Sequence, residues 1–163
     1  PARRLFPADP HHGELLATDP ESLTPALLLA RLTTAAQALG VGLALLDRTV
    51  SYVGQRTQFG TPIGSFQAVK HRLADAAVAL EFARPLLLGA ALTMAPEDVA
   101  AAKVTACEAA YTTARTALQL HGALGYTAEY DLSLWLTKAR ALRTAWGSPE
   151  ECRAAVLSGG RRC

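Results

Sequence analysis

The sequence predicts an all-α fold, an antiparallel up-and-down four-helix bundle with an irregular N-terminal leader and a short C-terminal helix. Three observations predict it. Alanine and leucine dominate the 163 residues and aromatic side chains make up only 6%, and the two dominant types are strong helix formers. Apolar positions recur at alternating steps of three and four over long stretches. The stretches are joined by short segments rich in proline and glycine, which leaves successive helices antiparallel. No strand-like alternation extends beyond a few residues, and no internal repeat is visible.

Residues 1–23 read as the leader, because Pro1, Pro7, Pro10, Gly13 and Pro20 interrupt any period. The bundle is expected over 24–158 and a tail over 159–163. Thr24-Pro25 reads as a hydroxyl cap followed by proline in the first turn. The first helix then carries Leu28, Leu32, Ala35, Leu39, Leu43, Leu46, Val50 and Val53 on one face, with Arg31, Gln37, Arg48 and Gln55 on others. Gly40 and Gly42 each cost this helix about 1 kcal/mol relative to alanine, which predicts close packing against a neighbour. Gly60-Thr61-Pro62 ends the run.

Ser65 is expected to cap a second helix with the stripe Phe66, Val69, Leu73, Ala76, Leu80, Ala83 and Leu87. Pro85 should kink or break it. Pro96-Glu97-Asp98 opens a third helix, with acids where the dipole favours them. Its inner face is small: Ala102, Ala106, Ala109, Ala110, Thr113 and Ala117. Thr127 is expected to cap a fourth helix bearing Leu132, Trp135, Leu136, Ala139, Leu142 and Trp146. Gly147-Ser148-Pro149 stops it, and Pro149 to about Leu157 makes the last short helix.

Composition narrows the function classes. One domain with a real core fits this length. A formal charge of +2 from scattered basic residues gives no footprint for nucleic acid. Cys107, Cys152 and Cys163 have no regular spacing, which fits a reducing, cytoplasmic setting better than a disulfide scaffold. No Cys/His cluster has metal spacing, and His11-His12 reads as a turn in the leader. No apolar run reaches the length of a membrane span.

The junctions carry more information than the helices. Tyr52-Val53-Gly54-Gln55-Arg56-Thr57-Gln58-Phe59-Gly60-Thr61-Pro62-Ile63, followed by Phe66-Gln67, resembles the end of the first bundle helix in acyl-CoA dehydrogenases. Ala117-Leu118-Gln119-Leu120-His121-Gly122-Ala123-Leu124-Gly125-Tyr126-Thr127 resembles that family's second signature, with Leu73-Ala74-Asp75 matching between them. The resemblance runs from about Leu23 to Arg153. It implies a C-terminal helical domain that helps to hold FAD, part of whose site comes from a neighbouring subunit.

By that resemblance, Arg56, Phe59 and Gln67 would contact the ADP half of one flavin. Gln119, Leu120, His121, Gly122 and Ala123 would meet a flavin held mainly by another subunit. Arginine suits a diphosphate because its planar fork of donors stays charged. Structural roles compete with this reading: Arg56 as a helix-end cation, Phe59 as a core plug, and Gln119 and His121 as capping or interface groups. Ala123 stands where the family usually has a second glycine.

The family reaction is α,β-dehydrogenation of an acyl-CoA thioester, and it needs a carboxylate within reach of the α proton. The resemblance puts that base at one of two positions, occupied here by Trp146 and by Ala30, just before Arg31. Neither takes a proton, so no catalytic residue is assigned. Glu129, Asp131, Glu150 and Glu151 are the nearest candidate replacements. The absence resembles actinobacterial heteromeric members acting on steroid side-chain CoA esters, in which one subunit lacks the base. Gly125 to Leu132 is similar to that branch.

The expectation is therefore a non-catalytic or half-site component of a homo- or hetero-oligomer that takes acyl-CoA substrate, exposing apolar patches where other subunits pack. Two alternatives stand beside it. One is an active dehydrogenase fragment with an unusual base; the other is a dimerisation module that has lost FAD.

Overall fold

The computed structural model describes residues 20–127 and 131–159. The expected leader lies outside the described residues except for a 3-10 turn at Pro20–Leu23, and the tail lies outside them beyond Gly159. Five helices are described: α1 (Thr24–Gln55), α2 (Gln67–Thr93), α3 (Pro96–His121), α4 (Leu132–Thr144) and α5 (Pro149–Gly159). The only strands among the described residues are β1 (Thr57–Gln58) and β2 (Thr61–Pro62), an antiparallel pair between α1 and α2.

Helix α3 is the axis of the bundle and packs against all four other helices. Its sequence explains why. Ala100, Ala102, Ala106, Ala109, Ala110, Ala114 and Ala117 are all buried, and together they cover more than one face, so neighbours approach from several sides. One of them is α1, where a Cβ added at Gly42 would lie 3.3 Å from the Ala110 Cα and 2.4 Å from a Leu80 methyl. Gly42 thus marks the expected close approach. Gly40 does not, since nothing stands within 4 Å of a Cβ there. The main core adds Leu39, Leu45, Leu80, Leu132 and Leu142 to the alanines.

Several capping expectations are corrected. Leu23, not Thr24, precedes α1 as its cap, and no side chain bonds the first amides. Ser65 ends a 3-10 turn and donates to the Pro62 carbonyl at 2.7 Å, so α2 starts after Phe66 instead. Thr127 donates to Leu124 O at 2.9 Å, and the residue before α4 is Asp131. The Ser65 and Thr127 hydroxyls each close a local turn rather than a helix. Pro85 does not break α2, which continues to Thr93. Pro85 and Glu81, whose carbonyl loses its partner, are both exposed, so water can replace the missing donor.

The outer stripe positions also shift. Val50 is 49% exposed, and the buried set of α1 moves to Ala38, Val41, Leu45 and Thr49. By length and composition α1 and α2 could each cross a membrane, with mean hydropathy 1.4 over an 18-residue window. That corrects the expectation from uninterrupted runs, because a mean tolerates the occasional polar residue. In α1 the buried apolar residues from Ala35 to Val53 pack against the other helices, while Leu27, Leu29 and Val50 are exposed. Helix α2 is different: Val78, Phe82, Leu86, Leu88 and Leu92 stand exposed on the side away from its buried Ala76, Leu80 and Ala83.

Candidate functional site

Two junctions hold the residues singled out by sequence. At the first, α1 ends at Gln55, and the Arg56 amide donates to Tyr52 O at 2.9 Å. The chain then turns back on itself, with Thr57 opposite Pro62 and Gln58 opposite Thr61. Ile63 N donates to Arg56 O at 2.8 Å and closes the hairpin. The two central residues, Phe59 and Gly60, have φ of 53° and 78°, the sign that a type I′ hairpin loop requires at both positions. Glycine adopts it freely; phenylalanine does so at a cost. Sequence periodicity gave no sign of this hairpin.

Arg56 lines a surface depression of about 310 Å3 together with Tyr52, Gln58, Ile63 and the whole run Gln119–Ala123. The two groups of residues expected to face different flavins are therefore brought together through Arg56. Phe59 and Gln67 are not part of that lining. Phe59 sits at the hairpin tip, 92% exposed, with its ring edge-on to Phe66 at 6.3 Å. It is not a core plug. Gln67 opens α2 and is exposed.

The floor of the depression is built by the end of α3. His121 is 3% exposed and stacks on Tyr52, with ring centroids 4.1 Å apart and planes 19° from parallel. Its Nδ1 lies 2.8 Å from the Ala117 carbonyl, so that nitrogen carries the proton and donates. Burial pushes the imidazole below its ordinary 6.5, only partly opposed by the bond to Ala117. Gly122 follows with φ 60° and caps α3, its amide shared between Gln119 O and Leu118 O. A Cβ on Gly122 would meet nothing within 4 Å, so here conformation and not crowding calls for glycine.

Gln119 is held by a partner that sequence reading missed. Arg72 of α2 donates to its Oε1. An arginine has no acceptor, so the Gln119 amide must turn its NH2 away from Arg72, leaving donors for the depression. Tyr52 was findable from the sequence, because it precedes Arg56 by one helical turn. Arg72 was not, because only tertiary packing brings α2 to the end of α3.

The second junction connects α4 and α5. Helix α4 stops at Thr144, so Trp146 is not on its apolar stripe as expected. Trp146 has φ 58° and is 58% exposed; Gly147 has φ 136°. Arg31 Nε donates to the Trp146 carbonyl at 2.8 Å. Arg31, next to Ala30 in sequence, thus links the two places indicated for a base, positions 30 and 146, and neither carries a titratable group. Ser148 and Glu151 form a reciprocal capping box at the start of α5: Ser148 N donates to Glu151 Oε2 at 2.7 Å, and Glu151 N to Ser148 Oγ at 3.2 Å.

The acids near this junction have structural occupations. Glu151 is the capping partner. Glu150 is fully exposed and 4.0 Å from Arg153, and its carboxyl is held below the ordinary range chiefly by its own backbone amide. Asp131 stands 3.9 Å from Arg48. Glu129 lies outside the described residues. No group of three or more potential metal ligands occurs among the described residues.

Residues 22–159 match the family model described as acyl-CoA dehydrogenase, C-terminal domain. The acyl-CoA dehydrogenase IpdE2 of Mycobacterium tuberculosis is 39% identical over 152 residues, covering 93% of this chain and 46% of that protein. A solved glutaryl-coenzyme A dehydrogenase in complex with glutaryl-CoA superposes with a TM-score of 0.83 at 33% identity, over 87% of this chain and 38% of the other. A chain of the ChsE4–ChsE5 complex of Mycobacterium tuberculosis gives 0.79 at 31%, over 84% and 39%. The chain spans less than half the length of these relatives.

Proposed function

Because the chain belongs to the acyl-CoA dehydrogenase C-terminal domain family, we propose that it contributes FAD contacts and an oligomer interface to an acyl-CoA dehydrogenase assembly, without itself supplying the base. The observation that carries this reading is the pairing of two junctions. One gathers Arg56 with Gln119–Ala123 around a single depression, and the other presents an indole and a methyl where a carboxylate would be needed.

The residues present fit part of a flavin dinucleotide. An exposed guanidinium at the rim suits a diphosphate, the Gln119 NH2 adds donors, and Gly122 leaves open space above the backbone. Ligand pockets that enclose a drug-sized molecule run to about 300–1,000 Å3, so a depression of about 310 Å3 holds only a portion of a larger dinucleotide. The rest would be held by other domains or another subunit. When bound, FAD supplies the hydride acceptor. This chain's own part is to bind the diphosphate through Arg56, orient it through Gln119, and cover one edge with Ala123 and Phe59.

The oligomer reading rests on α2. A helix apolar on both faces is normally covered on both, and the side bearing Val78, Phe82, Leu86 and Leu92 is open. A patch of this kind marks an interaction surface. The expected partner is a second acyl-CoA dehydrogenase-like subunit that carries the missing base, with acyl-CoA as the substrate class of the assembly and the cytoplasm as its compartment.

The test is the absorbance spectrum of the chain purified alone and with an acyl-CoA dehydrogenase-like subunit encoded beside it. Flavin bands near one per site in the assembly are expected, falling at least tenfold in Arg56→Ala. A chain that never takes up FAD in any combination would leave the dimerisation-module reading in its place.

A further inference from the structure

Lys103 is the largest fully buried side chain among the described residues, at 1% exposure. It lies on the alanine-rich inner face of α3, where a charge is least expected. Its Nζ donates to Leu142 O at 3.1 Å, Arg143 O at 3.2 Å and Gly147 O at 3.3 Å. An ammonium has three N–H donors, and all three are used on carbonyls. Among the described residues no carboxylate is in ion-pair range of it.

Two of the carbonyls close the last turn of α4, where unpaired acceptors and the negative end of the dipole favour a cation. A surface lysine would serve that purpose. The third carbonyl is different, because it belongs to Gly147, beyond the left-handed Trp146. Lys103 therefore bridges across residue 146, holding the chain on both sides of it, while Arg31 holds the Trp146 carbonyl from α1. With Lys103 holding the chain at Leu142, Arg143 and Gly147 and Arg31 holding the Trp146 carbonyl, the backbone around residue 146 is tied to α3 and α1, and its side chain projects outward, 58% exposed.

We propose that Lys103 is a positioning residue: it fixes the direction of the side chain at position 146, so that this junction remains a rigid mount for a reacting or substrate-facing group although it now carries an indole. That the mounted side chain faces substrate rests on the function proposed above. The mount itself does not.

The test uses the full chain. Trp135→Phe leaves Trp146 as the sole tryptophan, since the sequence has two. In this background Lys103→Met should lower the fluorescence anisotropy of Trp146. Amide hydrogen exchange at Ala145–Gly147 should accelerate at least tenfold more than exchange in α1 and α2. Lys103→Gln, which keeps two N–H donors, should fall between. An ordinary core lysine would instead speed exchange evenly along the chain and leave the anisotropy alone, and that result overturns the proposal. Should the Met variant not fold, the Gln variant decides the matter by the same two signals. Neither signal requires flavin, so failure of FAD uptake and failure of the mount are read separately.

Discussion

The two junctions use the same kind of dipeptide and hold it by opposite means. Phe59-Gly60 and Trp146-Gly147 are both an aromatic residue followed by glycine, both with positive φ, both aromatic rings exposed. The first is secured locally, by ladder bonds within six residues and by Ser65 reaching back to Pro62. The second is secured from a distance, by Lys103 and Arg31, which are more than forty and more than a hundred residues away in sequence. A local hold sets a conformation; a distant hold ties the conformation to the packing of the bundle. That difference predicts how each responds to change.

The largest effect should come from cutting the distant hold. Lys103→Met takes the ammonium donor from the Leu142, Arg143 and Gly147 carbonyls, of which the first is buried and keeps only the long Cys107 Sγ contact at 3.5 Å while the other two are half-buried; a buried acceptor that loses its donor costs about 1–3 kcal/mol. A total loss of about 2–4 kcal/mol is expected, measured by urea unfolding. Ser65→Ala at the other junction removes an exposed hydroxyl with its bonds to Pro62 O and Thr61 Oγ1 and should stay within about 0.5 kcal/mol. Equal losses at the two junctions would erase the distinction.

A smaller effect, opposite in sign, separates stability from binding at the first junction. Phe59→Asn creates Asn-Gly, the sequence that two-residue hairpins prefer, and relieves a left-handed strain of roughly 1–2 kcal/mol. A gain of about 0.5–1 kcal/mol is expected. If Phe59 covers a flavin edge, the same variant should weaken FAD retention in the assembly. A variant that is stabilised and keeps its flavin would remove Phe59 from the cofactor site. Phe59 is thus the clearest case of a residue that the fold tolerates rather than wants.

What was legible in the sequence follows the same division. The helices were legible because their apolar period is local and repeated: the inner face of α3, from Ala102 to Ala117, is buried as expected. The motif at Arg56 and that at Gln119 were legible as strings, and the structure places them around one depression. The hairpin was hidden because two-residue strands carry no period. The hydroxyl caps failed because Thr24, Ser65 and Thr127 had closer turns to close or no amide to meet. Lys103 was hidden for a deeper reason. Nothing near it in sequence announces that its partners are the carbonyls of Leu142, Arg143 and Gly147, and only the crossing of α3 and α4 supplies them.

Acid should reach the two junctions in different windows, and this is the smallest and most discriminating effect. His121, beneath the first junction, has its folded-state pKa lowered from the ordinary 6.5 by burial. The unfolded chain then binds the proton more readily than the fold does, so stability is whole above about pH 6.5 and declines as pH falls towards the folded value. Glu150, at the start of α5, has its pKa lowered from the ordinary 4.5. Its contribution is present above that value and fades only as pH falls below it. Thermal unfolding followed from pH 8 to 4 should therefore begin to soften near pH 6.5. His121→Phe, which keeps a ring against Tyr52 but cannot titrate, should flatten that first step and leave the behaviour below pH 4.5 unchanged. If the slope between pH 6.5 and 5 survives the substitution, the acid-sensitive group lies elsewhere, and the floor of the depression at the first junction is not the first part of the bundle to yield.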